Sequence, residues 1–196
     1  MLPEMRGILG GTFDPPHLGH LAAAETAFRQ LDIDVVTFIP VGMPWQKPRS
    51  EVSAAADRWS MVGLAVEGIE YFDADDREVR RDGPTYTADT LETFPADEEL
   101  LLVLGADAAL RIPTWERAEE VIERATIAVV PRTGVRRRDV AASVGAPIVW
   151  LDMPVLDISG TMLRRRVRSG TSIRFLVPDA VWAYVCNREM YAPTEA

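Results

Sequence analysis

Short apolar runs alternate along this chain with longer stretches in which apolar residues recur every three or four positions. The runs are "RGILGG" (6–11), "VVTFIP" (35–40), "ELLLVLG" (99–105), "TIAVVP" (126–131) and "APIVWL" (146–151). Their lengths, and in several cases their β-branched residues, predict strands. The run at 99–105 does not alternate with polar residues, so it predicts a strand buried on both faces. Helices are predicted over 18–30, rich in alanine, and over 54–67, where Trp59, Val62 and Val66 form an apolar stripe. Further helices are predicted over 86–94, 115–124, 159–169 and 179–187, and one or two short strands in the polar stretch 71–81. A β-α-β-α order of this kind predicts an α/β fold, a parallel sheet with helices on both faces. No internal repeat or long linker divides the chain, so residues 1–196 read as a single domain. "RTGVRRRD" (132–139) is predicted to be the most mobile loop.

Composition narrows the function classes. The chain has 196 residues, 47% hydrophobic and 26% charged, with a net charge of −9. Such a surface disfavours nucleic acid and anionic membranes as partners, but it leaves room for a local basic pocket. No apolar run approaches the ~20 residues of a membrane span. The first six residues are too short and polar for a signal peptide. A single cysteine, Cys186, excludes an internal disulfide and fits a reducing compartment, so a cytoplasmic location is expected. Its place in an apolar helical stretch reads as packing rather than nucleophilic chemistry.

Candidate chemistry gathers first in "GGTFDPPHLGH" (10–20), which carries the two histidines of the chain, His17 and His20. This stretch begins where the first strand ends, and open parallel sheets bind ligands beyond the carboxyl ends of their strands. Gly10 and Gly11 let backbone approach a ligand closely. The i,i+3 spacing puts both imidazoles on one face of the first helical turn, where free N–H groups attract anions. One histidine near a helix start is more often a cap or a packed ring; two after a glycine pair favour function. Neither a Walker A motif nor a G-x-G-x-x-G is present, and no third and fourth ligand stand at zinc spacing. A second cluster lies in "ISGTMLRRRVRSG" (158–170). Ser159 stands at a predicted N-cap, Thr161 in the first turn and Arg164 in the second, all able to face one phosphate group. Arg165 and Arg168 read as a solvated face. Lys47, in "MPWQKP" (43–48), is a third cation on the same sheet edge. Local positive groups on an acidic protein suggest a polyphosphate site.

Together, "GGTFDPPHLGH" and "ISGTMLR" resemble the double signature of the HxGH nucleotidyltransferases. That resemblance implies a Rossmann-like, doubly wound, mostly parallel sheet. "RRDGPTYTADTL" (80–91), "GADAALRIPTW" (105–115) and "FLVPDAVWAYV" (175–185) are similar to segments of one branch, the bacterial nicotinate-nucleotide adenylyltransferases. The resemblance covers nearly the whole chain. There are two departures: Gly160 stands where the family usually has a second serine, and the "MPWQKP" loop looks like the actinobacterial form.

What the resemblance implies is adenylyl transfer from ATP to nicotinate mononucleotide, giving nicotinate adenine dinucleotide and pyrophosphate, within NAD biosynthesis. The attacking phosphate is already ionised, so the site must position reactants and stabilise charge rather than supply a nucleophile. By resemblance, His17, His20, Lys47 and Arg164 are catalytic, with His20 on the α-phosphate. Ser159 and Thr161 would hold the β/γ end, Ile8, Gly10, Gly11 and Thr12 the nucleotide at the strand end, and Asp107 the ribose hydroxyls. Trp115 can stack on the nicotinate ring, Thr85 and Tyr86 lie where backbone amides would meet its carboxylate, and Lys47 could also touch this substrate. Mg²⁺ is expected to accompany ATP, with no dedicated protein metal site. Asp14 is expected to shape the loop. The resemblance allows a homo-oligomer. Alternatives are a nicotinamide-mononucleotide or phosphopantetheine adenylyltransferase, or an inactive nucleotide-binding relative.

Overall fold

A computed structural model of the chain describes residues 5–44 and 52–192. Six parallel strands lie in the order β3-β2-β1-β4-β5-β6. They are β1 (Met5–Gly11), β2 (Val35–Pro40), β3 (Phe72–Ala74), β4 (Glu99–Gly105), β5 (Thr126–Val130) and β6 (Ile148–Trp150). In register, Ile8 of β1 sits beside Thr37 of β2 on one side and Leu102 of β4 on the other. The chain order therefore reverses between β1 and β4. At such a switch point the loops leaving the two strands diverge to opposite faces and open a crevice.

The alternating side chains of the strands separate two cores. Ile8, Ile39, Leu102, Leu104, Ile127 and Val129 face one way, toward α3 (Thr87–Glu92), α4 (Ala106–Ala109), α5 (Ala118–Arg124) and α6 (Arg137–Val144). Leu9, Val36, Phe38, Leu101, Val103 and Ala128 face the other way, toward α1 (Leu18–Gln30) and α2 (Ala55–Val66). This double cover explains why β4 is apolar throughout. Ala23, Ala24 and Ala27 of α1 are buried, and their small side chains let the helix lie close to the sheet. Beyond α2, Leu163 of α7 (Gly160–Arg168) and Val181 and Val185 of α8 (Asp179–Asn187) form a third cluster with Met61 and Ala65.

Three expectations need correction, and one is narrowed. The segment 132–139 is not all loop, because α6 begins at Arg137; its apolar signal is limited to Val140 and Val144, one turn apart. The helix expected over 115–124 begins only at Ala118. Arg117 stands in the left-handed region, with φ 53, and before it runs a 3-10 turn over Ile112–Thr114 that contains Pro113. The one or two short strands expected in the stretch 71–81 narrow to one, β3. The buried stripe of α2 is Arg58, Met61, Val62, Ala65 and Val66, with Trp59 beside it rather than in it. No helix among the described residues is long and apolar enough to cross a membrane.

Candidate active site

The crevice at the carboxyl ends of β1 and β4 holds two adjoining cavities. Both are lined by Thr12, the first residue after β1.

The second and more polar cavity is enclosed by residues 12–20 and the start of α7. His17, His20, Asp107, Ser159, Gly160, Thr161 and Arg164 line it together. His17 is the N-cap of α1. Its backbone N–H donates to His20 Nδ1 at 3.2 Å, and its carbonyl accepts from the His20 N–H at 2.8 Å. A ring whose Nδ1 accepts carries its proton, when neutral, on Nε2. The imidazoles stack with centroids 3.6 Å apart, and Phe13 meets the His20 ring edge-on at 4.8 Å. The His20 ring is thus held from both sides as a pre-oriented donor. Phe13 itself is buried, with a left-handed φ of 49, a conformation that costs energy in a non-glycine residue and here turns the chain into the cavity.

His17 lies deeper. It is 2% exposed, and its Nδ1 is buried with no hydrogen-bond partner among the described residues. Burial, followed by the positive charge of Arg132, pushes its pKa down from 6.5 to about 3. The consequence for stability has a definite sign. Between about pH 6.5 and pH 3 the unfolded chain binds a proton at His17 that the folded chain does not. Folding stability from this group therefore falls as pH drops through that window, at about 1.4 kcal/mol per pH unit. The His17 C2-proton NMR resonance is expected to show no inflection between about pH 5 and pH 8, the range in which an ordinary histidine titrates. A midpoint near 6.5 would show that the ring is not held neutral by burial.

On the facing wall, Ser159 caps α7, its Oγ accepting from the Met162 N–H at 3.3 Å. Arg164 is 9% exposed, and its Nη1 donates to the Asp14 carbonyl at 2.8 Å. Its Nη2 donates to Thr161 Oγ1 at 3.4 Å, while Nε is buried without a partner among the described residues. Asp14 is a hub of the loop. Its carboxylate accepts from the Ser53 N–H at 3.1 Å and the Tyr191 hydroxyl at 2.7 Å. Burial and the Asp14 charge push the Tyr191 phenol upward, so it stays a donor. These contacts agree with the shaping role expected of Asp14. Gly160 now has a physical reason. A Cβ there would stand 2.8 Å from the Asp14 carbonyl oxygen and 3.2 Å from Arg164 Nη1, so a serine at this position would push the two walls apart.

The first cavity is lined by Ile8, Gly10, Gly11 and Thr12 together with Thr85, Tyr86 and Trp115. The strand-end residues expected on the nucleotide thus line the same cavity as those expected on the acceptor, and Thr12 joins it to the histidine cavity. The Thr85 N–H, expected to be free for a ligand, donates to the Met43 carbonyl at 3.3 Å. Lys47 lies outside the described residues.

Several site residues escaped the sequence reading. Arg132 lines the histidine cavity, where its Nη1 donates to the Leu156 carbonyl at 3.1 Å and its Nε lies 3.6 Å from Asp107 Oδ1. Its position just past the end of β5 was the available signal. Glu78 is buried in the wall of the first cavity, where burial pushes its pKa up although it accepts from Thr90 Oγ1 at 2.6 Å. Arg58 is 1% exposed and donates to the carbonyls of Ser53, Thr12, Val41 and Gly42. An arginine inside the apolar stripe of a helix was its signal. Among the described residues no three or more His, Cys, Asp or Glu side chains gather as a metal site.

Comparison with known proteins places the chain in a family. The family model described as cytidylyltransferase-like matches residues 8–166. A protein of Dehalococcoides mccartyi named "Probable nicotinate-nucleotide adenylyltransferase" is 40% identical over 201 residues, covering 97% of this chain and 98% of its own. One of the same name from Acidothermus cellulolyticus is 37% identical over 197 residues, covering 96% and 95%. Among solved structures, Plasmodium falciparum nicotinic acid mononucleotide adenylyltransferase complexed with NaAD superposes with a TM-score of 0.82. It shares 16% identity, with 96% of this chain and 97% of that one covered, and so shows the common fold.

Proposed function

The chain belongs to the cytidylyltransferase-like family and, within it, to the nicotinate-nucleotide adenylyltransferases, and from that premise we propose how its two cavities divide the reaction. Nicotinate mononucleotide occupies the cavity of Thr85, Tyr86 and Trp115, and the triphosphate of ATP the cavity of His17, His20, Ser159, Thr161 and Arg164. The observation that carries this reading is that Thr12 lines both cavities, so two phosphate-bearing ligands meet there.

A phosphate oxygen of nicotinate mononucleotide attacks the α-phosphorus of ATP. A new P–O bond forms, the bond to the β-phosphate oxygen breaks, and pyrophosphate leaves with the bonding electrons. No protein nucleophile is needed. His20 Nε2–H donates to an α-phosphate oxygen as negative charge shifts toward the leaving group. Arg164, with a buried Nε that has no partner among the described residues and a fixed Nη1, offers charge-assisted donors. The N-terminus of α7, capped by Ser159, adds its partial positive charge at the β/γ end. Asp107 takes the ribose hydroxyls, and Arg132, released from Asp107, is a further cation for the phosphates. A divalent ion, Mg²⁺, enters with ATP as part of the substrate. The wall offers scattered carboxylates, Asp107 and Asp157, rather than a cage, which suits an ion held mainly by phosphate oxygens and water. When bound, it neutralises phosphate charge. The reaction is proposed to take place in the cytoplasm, catalysed by the whole chain as one domain.

The test is pyrophosphate release from ATP with each of three acceptors. Nicotinate mononucleotide is expected to support it, nicotinamide mononucleotide at least about tenfold less efficiently, and phosphopantetheine not at all. No release with any acceptor would leave an inactive nucleotide-binding relative, and preference for another acceptor would transfer the chain to that reaction.

A further inference from the structure

We propose that Arg111 is a specificity-determining residue, the group by which this enzyme prefers an acidic pyridine ring to its amide. The inference rests on the acceptor assignment of the cavity around Trp115.

An acceptor nucleotide in that cavity has two ends. Its phosphate must lie toward Thr12, where the cavity joins that of the histidines. Its ring end therefore lies toward Trp115. A ring that carries a carboxylate needs positive charge or N–H donors at that end, whereas an amide ring gains nothing from net charge. One source of donors, the Thr85 N–H, is given to the Met43 carbonyl. Among the described residues, the ionisable side chains lining the cavity are Glu78, Tyr86, Arg111 and Glu116. Arg111 is the one cation among them, and without it the wall holds two carboxyl groups and would repel a carboxylate ligand.

Arg111 is placed for the task. Its N–H donates to the Ala108 carbonyl at 2.9 Å, and its carbonyl accepts from the Thr114 N–H and Thr114 Oγ1, each at 2.8 Å. The Trp115 N–H donates to the Ile112 carbonyl at 2.8 Å, and Ile112 is fully buried. Arg111 and Trp115 thus flank one anchored 3-10 turn, so the backbone positions from which the ring and the guanidinium extend are held in fixed relation. The nearby Arg117 is occupied by Asp89, Glu92 and Glu120. Arg111 joins no ion pair among the described residues, and it is exposed, so its donors remain available. A guanidinium can meet a carboxylate through two parallel N–H donors, a geometry that an uncharged carboxamide matches poorly.

The experiment compares kcat/KM for nicotinate mononucleotide with that for nicotinamide mononucleotide, in the full chain and in Arg111→Ala and Arg111→Lys. Arg111→Ala is expected to lower the acid-to-amide ratio by about 10- to 100-fold, the effect of losing a charge-assisted pair. The loss should fall on KM for the acid acceptor, with kcat and melting temperature little changed because Arg111 is exposed. Arg111→Lys should keep part of the ratio. Should the parent enzyme turn over while Arg111→Ala leaves the ratio within twofold, the inference is wrong and the acceptor assignment stands. If the parent uses neither acceptor, the inference falls together with the functional reading.

Discussion

His20→Ala is expected to lower kcat by about 10²- to 10³-fold, the effect of removing one pre-aimed donor from a developing phosphate charge. The expectation follows from how the ring is held. Its Nδ1 accepts from the His17 N–H, so Nε2 is the donor, and His17 and Phe13 hold the ring from two sides. A donor fixed before the reaction costs no reorganisation when charge develops, and this is where its advantage over water lies. KM for ATP should change far less, since Arg164, Ser159 and Thr161 still meet the triphosphate. His20→Asn, which restores an N–H donor at a shorter reach, should recover part of kcat. Steady-state rates with saturating nicotinate mononucleotide check this, alongside circular dichroism to verify the fold. A variant that keeps full kcat would remove His20 from the mechanism and leave the positive charge of Arg164 and α7 as the main stabiliser.

Arg58→Met should lower stability by about 4 kcal/mol, because four backbone carbonyls would lose one shared, buried donor. For a chain of this size that corresponds to a fall in melting temperature of roughly 8–16 °C. Those carbonyls belong to residues 12, 41, 42 and 53, so the guanidinium ties the end of β2, the start of the signature loop and the entrance of α2 into one unit. Methionine fills a similar volume, so packing loss is small and the cost is polar. Arg58→Lys should recover less than half, since an ammonium is a compact charge and does not span three directions as a guanidinium fork does. Thermal unfolding followed by circular dichroism reads the result. A melting temperature within about 3 °C of the parent, the effect of only about 1 kcal/mol, would mean that water or neighbouring groups satisfy those carbonyls.

The legible parts of this protein were those with local signals. β2 and β4, and helices α1 and α8, lie where apolar period and length put them, because each buries a continuous run or a full stripe. Helix α6 was illegible because two arginines open it after an arginine cap, and two valines are its buried residues. The late start of α5 was hidden because the left-handed Arg117, which separates it from the turn at 112–114, gives no sequence sign. At the site, His17, His20, Ser159, Thr161 and Arg164 were legible as motifs and do share one cavity, although 150 residues separate Asp14 from the arginine that donates to its carbonyl.

By itself, then, the sequence determined the α/β alternation, the family, and which polar residues stand at strand ends and helix starts. These follow from short-range rules of periodicity, capping and strand-end position, which act within a few residues. Tertiary structure alone decided the rest. It decided that Gly160 is required by the approach of the Asp14 carbonyl, and that burial holds His17 neutral. It also decided that Arg58 joins three segments and that Arg111 is, among the described residues, the single cation lining the cavity of Trp115. Each of these depends on which groups are brought within a few ångströms across the fold and which are shielded from water, and neither property is written in the order of the residues.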